Sequence, residues 1–210
     1  MSGQAVQVDV NEGVVNSSTL SDFIIRYLLQ CDVDYIFCVQ GGVVEPLYGA
    51  VARNQRASDP MFDAPVNSLT PLRKRNRPES VSMIIARHEA DAAFMADGYA
   101  RETGKLGVCC STGGSSSIKL MAGVASAYVD RVPMLVITPQ TALPNFGSFG
   151  LQESSGDTVD VVKMFESCTC YSSLVSHPKQ LETKLFKALT CALRLRGPVH
   201  LGITCWRLLK

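Results

Sequence analysis

Few residues in this chain have the makings of chemistry. The best placed is Glu89, the last of the polar triplet Arg87-His88-Glu89, at the mouth of an alanine-rich helix over 90–103. An acid in the first turn of a helix is favoured by the partial positive charge there, so on its own Glu89 reads as a charge–dipole contact. A second candidate is the small-residue run Thr112-Gly113-Gly114-Ser115-Ser116-Ser117. It has the look of a phosphate cradle but lacks the Gly-Lys-Ser/Thr ending of a P-loop, and Lys119 is displaced into the following helix. The third is Gln40-Gly41-Gly42, a glycine turn that brings backbone N–H groups close to the carboxyl end of a sheet, although most such glycines only make the turn. His88, His177 and His200 are scattered and suggest no metal site; His88 reads as a helix-start residue.

The elements that must position these residues follow from pattern. Between Arg87 and Gln140 the chain reads helix, strand (106–110), small loop, helix (118–129), strand (134–138), and Gly104 stops the first helix where a left-handed residue is wanted. That is a parallel α/β unit. Upstream, Leu20, Phe23, Ile24, Tyr27 and Leu28 share one helical face, and 34–39 reads as the first strand. Val81 to Ala86 is a second strand. Downstream, a short helix (157–165) and a strand (169–175) precede an amphipathic helix carrying Leu181, Leu185, Ala188, Leu189 and Ala192; Gly197-Pro198 breaks it before a last strand over 199–204. Six strands interleaved with helices predict an α/β fold, a doubly wound, mostly parallel sheet with helices on both faces. The helices around Ala93 and Ala125 present small faces suited to close packing, and pairing between chains is expected there.

A mobile leader is expected over 1–16, one domain over 17–205 and a tail over 206–210. Within the domain, 54–80 reads as a surface insertion with four prolines and the basic run Arg73-Lys74-Arg75-Asn76-Arg77. The chain is 46% hydrophobic and 19% charged with a net charge of +1, which is ordinary globular composition and gives no reason to expect nucleic acid or an anionic membrane as partner. No apolar run reaches the length of a transmembrane helix, and no secretory signal is visible. None of the eight cysteines forms a CxxC pair, and reduced thiols in a cytoplasmic protein are expected.

The stretch from Arg87 to Gln140 also resembles the N-terminal, pyrimidine-binding domain of thiamine-diphosphate enzymes of the acetolactate synthase group. The resemblance is carried by Arg-His-Glu, by Ala-Asp-Gly-Tyr-Ala-Arg-Glu-Thr-Gly-Lys (96–105), by 123–130 and by Val132-Pro133-Met134 through Gln140. It extends over about 19–203. It implies that Glu89 hydrogen-bonds the aminopyrimidine of thiamine diphosphate, promoting the tautomer that removes the thiazolium C2 proton; a buried glutamate with a raised pKa would suit that task. It further implies that Gly41, Gly42 and Gly114 line the cofactor and that Gln140 and Gln152, beside Glu153, face a small 2-oxo-acid substrate. The chain departs from the family pattern at Cys38, Gln40, Ser115, Ser116, Lys119 and Leu151.

The resemblance implies a Gly-Asp-Gly motif for the Mg²⁺ that holds the diphosphate, and none occurs in the chain. The diphosphate and its Mg²⁺ are therefore expected on another chain or domain, in a homo- or hetero-oligomer, with the isolated chain inactive. The resemblance leaves room for FAD and for either decarboxylation or carboligation. The rival reading is a non-catalytic binding or regulatory module that keeps the fold.

Overall fold

The computed structural model of the protein describes residues 19–57 and 80–204. The leader, the basic run and most of the rest of the insertion, and the tail lie outside them. Strands β1 (Tyr35–Cys38), β2 (Ser82–Ile85), β3 (Gly107–Cys110), β4 (Met134–Pro139), β5 (Tyr171–Val175) and β6 (Pro198–Ile203) form one sheet. Its order is β2-β1-β3-β4-β6-β5, and every neighbouring pair is parallel. The fold is therefore the expected α/β type, with a sheet that is parallel throughout. β4 and β6 are buried along their whole length, which is why they read as mostly apolar rather than alternating, with His200 the polar exception in β6.

The helices are α1 (Leu20–Gln30), α2 (Glu45–Ala57), α3 (Glu89–Thr103), α4 (Ser115–Lys119), α5 (Met121–Val129), α6 (Val161–Phe165) and α7 (Leu181–Leu195). Leu20, Ile24 and Leu28 of α1, Leu47 of α2 and Leu185 and Leu189 of α7 pack on one side against Ile36, Val108, Leu135 and Leu201. On the other side Ala92 and Ala96 of α3, Val124 of α5 and Phe165 of α6 pack against Phe37, Cys109 and Val136. Crossovers running one way along the sheet (α2 and α7) share one face, and those running the other way share the opposite face, as a single crossover hand demands. Between β1 and β3 the chain leaves in opposite directions, opening a crevice at the carboxyl edge.

Local chemistry sets the boundaries. Thr19 and Asp22 form a capping box, with the Asp22 N–H donating to Thr19 Oγ1 at 3.2 Å and the Thr19 N–H to Asp22 Oδ2 at 2.8 Å. Gly104 closes α3 in the left-handed region at φ 70°, as its type predicts. The helix expected over 118–129 starts earlier and has a joint. Leu120 stays right-handed, but its N–H reaches back to Ser117 O, one residue short of the α pattern, and this separates α4 from α5.

The small-residue faces are used within the chain. A Cβ at Gly123 would lie 2.6 Å from the Ala93 Cβ, and one at Gly107 would lie 2.4 Å from the Ala96 carbonyl oxygen. Ala92, Ala93 and Ala96 are fully buried. Within the chain this face seats α3 on α5 and β3, while Ala122 is exposed and Ala125 only partly buried. Among the described residues, no helix is long and apolar enough to cross a membrane.

Candidate functional site

His88 is the N-cap of α3, extended at φ −138°, with Nδ1 accepting the Ala90 N–H at 3.2 Å. That cap makes Glu89 the first helical residue and turns its side chain inward, where it is buried. The groups against the carboxylate come from α3 and α4. His88 Nε2 stands 4.0 Å and Lys119 Nζ 3.6 Å from Oε2, and the Ser116 hydroxyl donates a hydrogen bond. Burial alone would raise this carboxyl; Ser116, the Glu89 backbone N–H, Lys119 and His88 outweigh it and hold Glu89 below the ordinary glutamate value. The expected raised pKa is thus overturned, because α4 supplies a hydroxyl and a cation to a carboxylate that sequence reading had treated as merely buried.

The β1/β3 crevice is bounded by the two loops that sequence reading singled out. A Cβ at Gly41 would meet Thr112 Oγ1 at 2.4 Å, so only glycine lets the turn after β1 approach the loop after β3 this closely. Gly42, by contrast, faces open space. The Thr112 carbonyl accepts from Ser111 Oγ at 3.0 Å and Ser117 Oγ at 2.9 Å, which draws the loop into the start of α4. The Thr112 hydroxyl is buried and makes no hydrogen bond. Gly114 is left-handed at φ 68°, and a Cβ there would lie 2.8 Å from Gln152 Cα. Gln152 and Gly114 therefore come together, as Glu89 does with Ser116 and Lys119 two to five residues further along the same loop and helix.

Gln140 follows β4 and is buried, but both ends of its amide are spoken for. Its Nε2 donates to Ser154 O at 2.6 Å and its Oε1 accepts from Ser154 Oγ at 2.9 Å. It lines a cavity of about 350 Å³ with Phe146, Ser155, Asp160, Lys163 and Leu174. Glu153 organises the loop over that cavity. Its Oε1 accepts from the Gly147 N–H and the Ser155 hydroxyl, both at 2.6 Å, and its Oε2 accepts from the Gly150 N–H at 3.2 Å; the Ser155 and Gly147 bonds lead in holding its pKa low. Leu151, next to Gln152, is almost fully exposed.

Sequence reading missed three arrangements. Ser154 had no motif to mark it. Ser116 and Lys119 were visible only as departures from a pattern, and their contact with Glu89 depends on tertiary packing. His200 lies in the centre of β6, between the hydroxyls of Thr138 and Ser172, each 2.8 Å from a ring nitrogen, and stacks on Phe165 at 4.3 Å. Burial pushes its pKa down to about 3. The adjacent serines of β5, Ser172 and Ser173, were the hint of such a partner. Among the described residues, no group of three or more His, Cys, Asp or Glu side chains could hold a metal ion.

Residues 58–164 match the family described as thiamine pyrophosphate enzyme, N-terminal TPP binding domain. Acetolactate synthase of Arthrospira platensis is 34% identical over 174 residues, covering 81% of this chain and 25% of the relative. Acetolactate synthase isozyme 2 large subunit of Escherichia coli (strain K12) is 32% identical over 184 residues, 87% of this chain and 28% of the relative. A probable acetolactate synthase large subunit of Methanocaldococcus jannaschii is 31% identical over 144 residues, 68% of this chain and 24% of the relative. The chain thus spans about a quarter of the length of these relatives. With an all-parallel six-stranded sheet and a buried acid at its carboxyl edge, the chain belongs to the thiamine pyrophosphate enzymes as an acetolactate synthase-like N-terminal TPP binding domain.

Proposed function

We propose that this domain binds the aminopyrimidine half of thiamine diphosphate and serves a 2-oxo-acid carboligase or decarboxylase. One observation carries the reading: a buried glutamate, Glu89, stands at the carboxyl edge of a parallel sheet beside its topological switch point. The crevice suits a flat, nitrogen-bearing ring. Glu89 offers a carboxylate, the Thr112 hydroxyl is buried without a hydrogen-bond partner, and Gly41 and Gly114 let Thr112 and Gln152 close in on the loops beside it. When bound, the cofactor supplies the electron sink for breaking or making a bond next to a carbonyl.

The chain's own residues do the rest. Glu89 takes the ring nitrogen and holds or shares its proton. The Thr112 hydroxyl gives the ring a second polar contact. Gln140 fixes Ser154, and with it the 141–160 loop, on the substrate side, while Gln152 packs over Gly114. A separate domain or chain brings the diphosphate and Mg²⁺ contacts; the absence of Gly-Asp-Gly supports this, as does a match to only a quarter of each relative.

Titrating thiamine into the full chain, with backbone and glutamate carboxyl resonances followed by NMR, tests the reading. Shifts centred on Gly41, Glu89, Thr112 and Gly114 are expected, and Glu89→Gln should weaken them. No response at these residues at millimolar thiamine contradicts it and leaves the fold as a non-catalytic module.

A further inference from the structure

Glu89 does not face the crevice alone. Among the described residues, its ion-pair contacts come from His88 on its own helix and from Lys119 at the end of α4. Lys119 Nζ is 3.6 Å from Oε2, the oxygen that His88 also faces, and the Ser116 hydroxyl adds a hydrogen bond from the same short helix. The Lys119 backbone has little freedom to leave. The joint at Leu120 hands α4 straight into α5, and α5 is seated on α3 through Gly123 and Ala93. Its side chain is different: about half of it is exposed, so the ammonium can swing into water without a large penalty. The backbone is fixed, the cation is mobile, and the oxygen it covers belongs to Glu89, a buried carboxylate at the crevice.

We propose that Lys119 is a positioning residue for Glu89: its ammonium covers Oε2 and keeps Glu89 a carboxylate until a ring nitrogen displaces it. The proposal rests on Glu89 being the residue that takes the pyrimidine nitrogen. Two consequences follow. Glu89 acts as an acceptor throughout the neutral range, so the ring nitrogen must bring its own proton. Capture of the ring also competes with the lysine, so removing the cation favours capture.

The test uses the full chain, with glutamate labelled at the side-chain carboxyl carbon, and the variants Lys119→Met and Lys119→Arg. In Lys119→Met the Glu89 titration midpoint should rise by about one unit, the ordinary effect of losing an opposite charge at this range. In Lys119→Arg it should stay near the wild-type value. Thiamine titrated at neutral pH should bind Lys119→Met about two- to fivefold more tightly than wild type, the factor equivalent to a partly exposed ion pair. A Glu89 midpoint unmoved in Lys119→Met, or moved equally in Lys119→Arg, overturns the proposal. So does a midpoint that moves while thiamine affinity stays constant or falls. If wild-type chain shows no Glu89 response to thiamine, the underlying reading fails and the proposal with it. That failure is recognisable because the midpoint in Lys119→Met, measured without thiamine, still moves.

Discussion

Gly123 and Ala93 hold α5 against α3 so closely that a Cβ at position 123 would stand 2.6 Å from that of Ala93 and 2.7 Å from the Phe94 nitrogen. No side chain can be added there without moving backbone. Gly123→Val should therefore cost about 1–3 kcal/mol of stability, the usual penalty for overpacking a well-filled contact. Urea unfolding of both proteins measures it, and equal midpoints would show that the two helices are free to part. Since the same contact holds α4 over the start of α3, the variant should also loosen Lys119 from Glu89.

His200 gives the fold an acid-sensitive element. Its folded pKa, about 3, lies below the ordinary value of 6.5, so as pH falls the unfolded chain takes up the proton first. The stability it contributes is complete above about pH 6.5 and is lost as pH falls toward 3, at up to about 1.4 kcal/mol per pH unit. The depressed carboxyls of Glu89 and Glu153 act with the same sign, but only below their ordinary value of 4.5. Stability measured between pH 7 and pH 5 should fall in wild type and stay nearly level in His200→Asn. A wild-type profile that is flat over this window would mean that His200 takes up its proton as readily in the fold as in the unfolded chain.

Gly114 carries both strain and a close approach. An alanine there would adopt φ 68° and crowd Gln152 Cα at 2.8 Å. Gly114→Ala should destabilise by about 1–3 kcal/mol, and hydrogen exchange should quicken in the loop around Gln152 rather than across the sheet. Uniform exchange changes would contradict a local role.

The isolated chain should fold and yet do no chemistry. Both faces of its sheet are covered, while the proposed site lacks a diphosphate half. Circular dichroism should show a cooperative transition, and pyruvate should not be consumed when thiamine diphosphate and Mg²⁺ are added. Robust turnover would show that a complete site exists without a partner.

The fold was legible because buried parallel strands are written as short apolar runs between turn residues. The second strand was expected over 81–86 and found over Ser82–Ile85; Gly104 ended α3 where its backbone freedom is needed. The six strands and their alternation with helices required no tertiary knowledge. The surroundings of Glu89 did. Lys119 lies 30 positions away along the chain, and the seating of α5 on α3 brings its ammonium to the carboxylate, so the acid was legible but the direction of its pKa was not. The small faces were legible as close-packing surfaces but not their partners, because Ala93 packs equally well on a helix of its own chain or of another. Gln140 was noticed for its polarity, yet both ends of its amide are bound to Ser154 across a loop whose path no local pattern dictates.

The most direct test of the central claim is exchange of the cofactor's C2 proton with deuterated water, with the chain combined with a chain or domain carrying the diphosphate site. Glu89→Gln keeps size and a hydrogen bond but cannot hold the proton. It should slow exchange by about 10²- to 10⁴-fold, the usual loss for a positioned acid–base group, while assembly and melting temperature stay close to wild type. Exchange at the wild-type rate in the glutamine variant would reduce Glu89 to a first-turn acid at a helix end and remove it from the chemistry.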